Sequence, residues 1–142
     1  EGRFPEALVS HIREIMNRMY RNNIDGLCGN DDCGQMSAWY VLSAMGFYSV
    51  CPGTDQYVIG APYLPYMKLT LENGKELVIK ADKVSDKNRY VKSVKLNGKP
   101  YHKAFIGQQD IMNGGELTFE MSSQPNKQRI FKGENRPYSL SE

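Results

Sequence analysis

Two adjacent carboxylates, Asp31 and Asp32, sit in a glycine-bracketed turn, Gly29-Asn30-Asp31-Asp32-Cys33-Gly34, that leads into an almost wholly apolar run from Trp39 to Tyr48. Acids beside a segment that must be buried need hydrogen bonds, a metal ion or a chemical role to offset their desolvation. A carboxylate facing an enclosed site can act as a general base for water, or as an oxygen ligand for a hard cation such as calcium. The structural alternative is helix capping. Asn30 or Asp31 would accept hydrogen bonds from the first free backbone N–H groups, and the helix dipole favours the charge. Capping is the ordinary use of Asn and Asp at such a position. Yet one cap needs one acid, and the two glycines permit close backbone approach or unusual dihedrals.

Other chemistries lack their residues. An EF-hand loop would alternate Asp and Asn and end in Glu, which this turn does not do. Neither His11 nor His102 has a sequence-local partner that suggests a Ser-His-Asp arrangement. The runs Gly26-Leu27-Cys28-Gly29 and Asn113-Gly114-Gly115 lack the Lys-Ser/Thr of a phosphate loop. Cys28, Cys33 and Cys51 form no CxxC pair, lack the spacing and fourth ligand of a zinc site, and have no activating histidine nearby. They are expected to be free, mostly buried thiols, with a Cys28–Cys33 bridge left open.

Two helices must position the turn. Leu8, Ile12, Ile15, Met16 and Met19 make a helical stripe, with Arg13, Asn17 and Arg18 on the other side. That helix should end near Tyr20, before the breakers Asn22-Asn23 and Asp25-Gly26. A second helix is expected from about Cys33 to Gly46, which fits a C-terminal stop. Met36, Ala38, Trp39, Tyr40, Val41, Leu42, Ala44 and Met45 leave it almost no polar face, so it needs neighbours on every side.

Beyond Cys51-Pro52-Gly53 the pattern turns to strands: Gln56 to Gly60; Met67, Leu69 and Leu71 in alternation; Lys75 to Ala81; Val91, Val94 and Leu96; and Leu117, Phe119 and Met121. Asn73-Gly74 predicts a type I′ hairpin turn, and Asn97-Gly98 a second hairpin returning through Tyr101 toward Phe105. The expected fold class is α+β: two helices in residues 1–52, an antiparallel sheet with one wet face in 53–122, and an extended tail in 123–142.

The 142 residues suit one domain, and the net charge of +2 argues against a dedicated nucleic-acid binder. Lysines between Lys68 and Lys103 alternate with apolar residues, as on a solvated sheet face. No apolar run is long enough to span a bilayer. The chain opens Glu1-Gly2-Arg3-Phe4-Pro5, with no signal peptide, and reads as a processed, truncated or internally started piece.

The stretch from Gly26 through Asp31-Asp32-Cys33-Gly34-Gln35-Met36-Ser37-Ala38-Trp39-Tyr40 to Tyr48 closely resembles the signature of glycoside hydrolase family 92. The likeness continues through Val50-Cys51-Pro52-Gly53 and Tyr57-Val58-Ile59-Gly60-Ala61-Pro62. It returns at Leu96-Asn97-Gly98-Lys99, Gly114-Gly115-Glu116-Leu117 and Met121-Ser122. The family comprises calcium-dependent exo-acting α-mannosidases, many of them α-1,2-mannosidases.

The resemblance implies a β-sandwich followed by a catalytic (α/α)6 barrel, with this chain as the C-terminal piece and its second helix as a barrel helix. It implies inverting hydrolysis, with Asp32 at the base position, Asp31 beside it, and Asn30 and Gln35 as substrate-binding residues. Where relatives carry a second acid two positions before the base, this chain has Asn30. The catalytic acid, a glutamate, and most calcium ligands are implied upstream; Glu1 and Glu14 match no motif for that acid. Gln108-Gln109 stands where many relatives have a histidine. The implied partners are mannose-containing glycans and the upstream part of the same polypeptide, and the implied location is periplasmic, cell-surface or secreted. The piece alone is then expected to be inactive. The rival expectation is a non-catalytic sugar-binding or interaction module built on the sheet, with exposed aromatics such as Tyr63, Tyr66, Tyr90 or Tyr101 as stacking platforms, although tyrosines more often pack with a hydrogen-bonded tip.

Overall fold

A computed structural model describes residues 6–126 and 129–139. In chain order these form α1 (Glu6–Met19), a 3₁₀ turn (Asp32–Gly34), α2 (Gln35–Met45), β1 (Phe47–Tyr48), β2 (Gln56–Ile59), β3 (Tyr66–Thr70) and β4 (Glu76–Asp82). Then follow β5 (Tyr90–Leu96), β6 (Lys99–Pro100), β7 (Phe105–Gly107), α3 (Gln108–Asn113), β8 (Gly115–Ser122) and a second 3₁₀ turn (Gly133–Asn135).

Helix α1 ends where the breakers place it, but its buried side differs from the expected stripe. Met16 is buried, while Leu8 and Met19 are exposed. Arg13, expected on the polar side, is only 5% exposed. Its Nη2 donates to the Pro62 carbonyl at 2.8 Å, and the guanidinium lies 5.1 Å from the Tyr63 ring centroid. A long arginine can bury its stem and still satisfy part of its head. Burial, followed by the charge of Arg89, holds its pKa below the ordinary value.

Helix α2 stops as predicted. Gly46 adopts φ 92°, and its N–H returns to the Leu42 and Ser43 carbonyls. That left-handed stop suits glycine, and a side chain there would also strike the Pro62 ring. The start falls two residues later than expected, because Cys33 (φ 55°) and Gly34 (φ 72°) are left-handed and break the helical path.

The strands form two sheets instead of one antiparallel sheet. One runs β1-β2-β7 and is antiparallel; the other runs β3-β4-β8-β5-β6. In the second, β4 and β8 pair in parallel, from Leu77 opposite Gly115 to Asp82 opposite Glu120. Parallel pairing needs a long crossover, and residues 83–114 supply it. Leu77, Ile79, Ala81, Val94, Leu117, Phe119 and Met121 make one core with Phe47, Ile59, Ile106 and Ile111 from the smaller sheet and α3.

The two Asn-Gly pairs behave differently. Asn97 (φ 50°) and Gly98 (φ 77°) are both left-handed, and Leu96 faces Lys99, as in a type I′ hairpin. At Asn73-Gly74 only the glycine is left-handed; the Gly74 N–H bonds the Leu71 carbonyl at 2.9 Å and the Leu71 N–H bonds Lys75 at 2.8 Å. That is a type I turn with a glycine bulge, not the expected type I′ turn.

The wet face carries cross-strand pairs Lys68–Glu76, Lys80–Glu116 and Lys92–Glu120, as the lysine pattern implied. The tail, expected to be extended, packs back. Phe131 is buried, the Ala104 N–H bonds the Asn135 carbonyl at 2.8 Å, and the Tyr138 N–H bonds Gln56 Oε1 at 2.7 Å. Residues 127–128 and 140–142 of that expected tail lie outside the described residues.

Candidate active site

The loop between α1 and α2 is closed before the acids are reached. Tyr20 and Leu27 form an isolated antiparallel bridge, and the Arg21 N–H bonds the Gly26 carbonyl at 2.8 Å. Gly26 is buried, and any side chain there would run into the Arg21 carbonyl. The Tyr20 ring stacks on Trp39 at 5.8 Å between centroids and meets Tyr40 at 4.8 Å. Its hydroxyl donates to the Met36 carbonyl at 3.0 Å. Burial raises the Tyr20 pKa, and the charges of Cys28, Asp31 and Tyr48 add to the effect. Sequence reading missed Tyr20; the available signal was an aromatic at the end of one helix, with Trp39 and Tyr40 on the next.

The two acids divide sharply. Asp31 Oδ1 accepts from the Met36 N–H at 2.8 Å and the Ser37 N–H at 3.0 Å, while Oδ2 accepts from Ser37 Oγ at 2.5 Å. Its own carbonyl accepts from the Gly34 N–H at 2.9 Å. Asp31 therefore caps α2, but from five and six residues upstream, across the left-handed residues Cys33 and Gly34. The Ser37 hydroxyl, then the Ser37 and Met36 N–H groups, lower the Asp31 pKa against a smaller opposing desolvation. Asp32 is exposed, and its carboxylate makes no hydrogen bond or ion pair among the described residues. The side chains of Asn30 and Gln35 are likewise exposed and unengaged among the described residues. All four sequence-predicted site residues thus share one turn, with Asp31 locked and three side chains open.

Calcium prefers six to eight oxygen ligands. Among the described residues no group of three or more His, Cys, Asp or Glu side chains could hold a metal ion. Asp31 already spends both oxygens on N–H and O–H donors. Among the described residues, the side chains of this turn do not by themselves make a calcium site. All three cysteines are free; Cys28 and Cys33 are exposed and Cys51 is half-buried, against the expectation of mostly buried thiols.

Two of the proposed stacking tyrosines are tethered. Tyr63 Oη donates to Asn17 Oδ1 at 2.6 Å, and Tyr101 Oη donates to Asp110 Oδ2 at 3.1 Å, with burial driving the Tyr101 pKa well up. Tyr90 is half-buried, leaving Tyr66 as the open ring. Gln108 Oε1 accepts from the Tyr57 hydroxyl at 2.8 Å, and Gln109 Nε2 donates to Asn113 Oδ1 at 3.1 Å.

A free carboxylate on a braced turn is an arrangement a hydrolase can use to activate water. Comparison with known proteins gives the class its name. The model of the glycosyl hydrolase family 92 catalytic domain matches residues 4–123, and the chain belongs to that glycoside hydrolase family.

Among solved structures, the chain is similar to the family GH92 α-mannosidase BT3965 from Bacteroides thetaiotaomicron. They share 43% identity and a TM-score of 0.87 over 96% of this chain and 18% of that one. The same α-mannosidase in complex with mannoimidazole gives 44% identity and a TM-score of 0.86, covering 93% of this chain and 17% of that one. The inverting mannosidase BT2199 from the same organism is 40% identical, with a TM-score of 0.83 over 94% of this chain and 18% of that one. An uncharacterized secreted glycosidase from Arthroderma benhamiae is 29% identical over 108 residues, which is 74% of this chain and 14% of that protein. The chain spans less than a fifth of the length of these relatives.

Proposed function

We propose that this chain supplies the base half of the active site of a longer, inverting, exo-acting α-mannosidase that removes terminal α-mannose from glycans, with α-1,2 linkages as the preferred class. The observation that carries the reading is the division between the acids: Asp31 is consumed by the start of α2, while Asp32, on the turn that Asp31 fixes, is exposed and has no partner among the described residues. In an inverting hydrolase, one carboxylate takes a proton from water as the water attacks the anomeric carbon. A carboxylic acid on the opposite side protonates the leaving oxygen, with the pair roughly 6.5–9.5 Å apart to admit the water. Asp32 takes the first role. The acid comes from polypeptide outside this chain, as do most ligands of any calcium ion the enzyme binds. Asn30 and Gln35 flank Asp32 with open amides that can accept from and donate to sugar hydroxyls.

The likeness to α-mannosidases, one of them solved with mannoimidazole, supports the substrate class. The secreted fungal relative supports action outside the cytoplasm. The exposed apolar surface of α2 supports its packing among the helices of an (α/α)6 barrel; only Ser43 and Ala44 of that helix are buried here.

The test is Asp32→Asn in the full-length enzyme, assayed for mannose release from an α-1,2-mannobiose. The expected result is a kcat lower by about 10²–10⁴-fold with KM little changed, the range typical of losing a general base. The first-formed product of the parent enzyme should be β-mannose by NMR. Near-normal kcat in Asp32→Asn, or α-mannose as the first product, would sink the reading. The isolated chain should release no mannose.

A further inference from the structure

We propose that Asp31, Ser37 and Tyr20 form a clamp on the first turn of α2 that sets where the Asp32 carboxylate points, so that Asp31 is a positioning residue and not a second base. The inference rests on Asp32 being the base.

Three observations carry it. Asp31 accepts three hydrogen bonds, two from backbone N–H groups and one from the Ser37 hydroxyl. A carboxylate has about four acceptor sites, so little is left with which to take a proton from water. Breaking those bonds would strand the Met36 and Ser37 N–H groups at a helix start, where no intrahelical partner exists. The second observation is topological. Residues 32–35 lie inside a ring closed by the Asp31 side chain on Met36, and drawn tighter by the Gly34 N–H on the Asp31 carbonyl. Cys33 and Gly34 are held left-handed within it. The direction of the Asp32 side chain follows from that ring.

Third, the same residue is gripped from its other end. The Met36 N–H goes to Asp31 and the Met36 carbonyl accepts from Tyr20. Tyr20 is itself fixed against Trp39 and Tyr40. The base turn is thus tied to the end of α1 as well as to α2. The bonds that clamp Asp31 also depress its pKa, which makes it a weaker base than a free aspartate.

The experiment compares Asp31→Ala, Asp31→Asn, Ser37→Ala and Tyr20→Phe with Asp32→Asn in the full-length enzyme, reading kcat, KM, the pH profile and the melting temperature. A reacting group misplaced by about 1 Å can lose on the order of 10² in rate. Asp31→Ala should therefore lower kcat on that scale with KM nearly unchanged. Asp31→Asn keeps an oxygen for the two N–H donors and should recover most of the rate, with the acid limb of the pH profile intact. Ser37→Ala and Tyr20→Phe should each give a smaller fall in kcat. If Asp31→Ala does not fold, Ser37→Ala, which removes a single bond, carries the test.

Asp31→Asn as inactive as Asp32→Asn, at an unchanged melting temperature, would make Asp31 a base and overturn the clamp. Wild-type kcat in both Asp31→Ala and Ser37→Ala would overturn it as well. Full activity in Asp32→Asn is a separate failure: it overturns the base assignment and leaves the clamp nothing to position.

Discussion

The five-stranded sheet and the two long helices stand in opposite relations to solvent. In the sheet, Leu77, Ile79, Leu117 and Phe119 are each 0% exposed, and the opposite face is crossed by Lys–Glu pairs. Around the helices, Leu8, Met19, Leu27 and Val41 stand open and Ile24 is fully exposed. The sheet completes its own core, whereas the helices and the loop between them leave apolar side chains open to solvent. A cluster of exposed apolar side chains is what a contact face would show, and the relatives are more than five times longer than this chain. The acidic turn lies on the uncovered side of that contrast, between α1 and α2. On the proposed reading, the turn that holds the base is the part of the chain with the most apolar surface left uncovered around it.

Three measurements would break or sharpen the contrast. Phe119→Ala should have the largest effect, destabilising the chain by about 3–5 kcal/mol in urea denaturation, as for a fully buried aromatic. A loss under 1 kcal/mol would mean that the sheet is not the stable half. Val41→Ser should change the stability of this chain by no more than about 0.5 kcal/mol, as for an exposed position, yet lower the melting temperature of the full-length enzyme. Equal effects in the two contexts would contradict a covered α2.

The smallest effect is on pH. The folded pKa of Asp31 lies below the ordinary 3.8, so its contribution is complete well above 3.8. It is lost as the pH falls through the lower folded value, because protonation weakens the acceptor of three hydrogen bonds. Trp39, stacked on Tyr20 beside the turn, should report this as a fluorescence change below pH 3.8 that Asp31→Asn removes. An unchanged acid transition in that variant would count against the clamp.

Much of this was legible in the residues. Asn22-Asn23 and Gly46 marked helix ends because breakers act locally. Asn97-Gly98 marked a hairpin because both residues tolerate left-handed dihedrals. Asn73-Gly74 carried the same signal and gave another turn, since the strands it joins are one residue longer in the loop. The parallel β4–β8 pair was hidden because alternation identifies a strand's buried face without naming its neighbour. Arg13 was misplaced because its burial depends on the Pro62 carbonyl, far away in sequence.

At the site, the sequence brought Asn30, Asp31, Asp32 and Gln35 together but could not rank the two acids by which one was already engaged. That ranking comes from the left-handed pair Cys33 and Gly34, which carries Asp31 back over the first turn of α2. Cys33 has no residue-level signal for such a conformation.

The middle strand of the larger sheet has a consequence for assembly. Among the described residues β8 is the last of eight strands in chain order, yet it lies between β4 and β5. Before Gly115 is reached, β3–β4 and β5–β6 are separate ribbons with no shared strand, and two-stranded ribbons are marginal in water. The larger sheet therefore has no continuous ladder until the strand carrying Leu117, Phe119 and Met121 is available to join the two ribbons. A stop codon before residue 115 would not shorten this sheet at its edge; it would leave two halves.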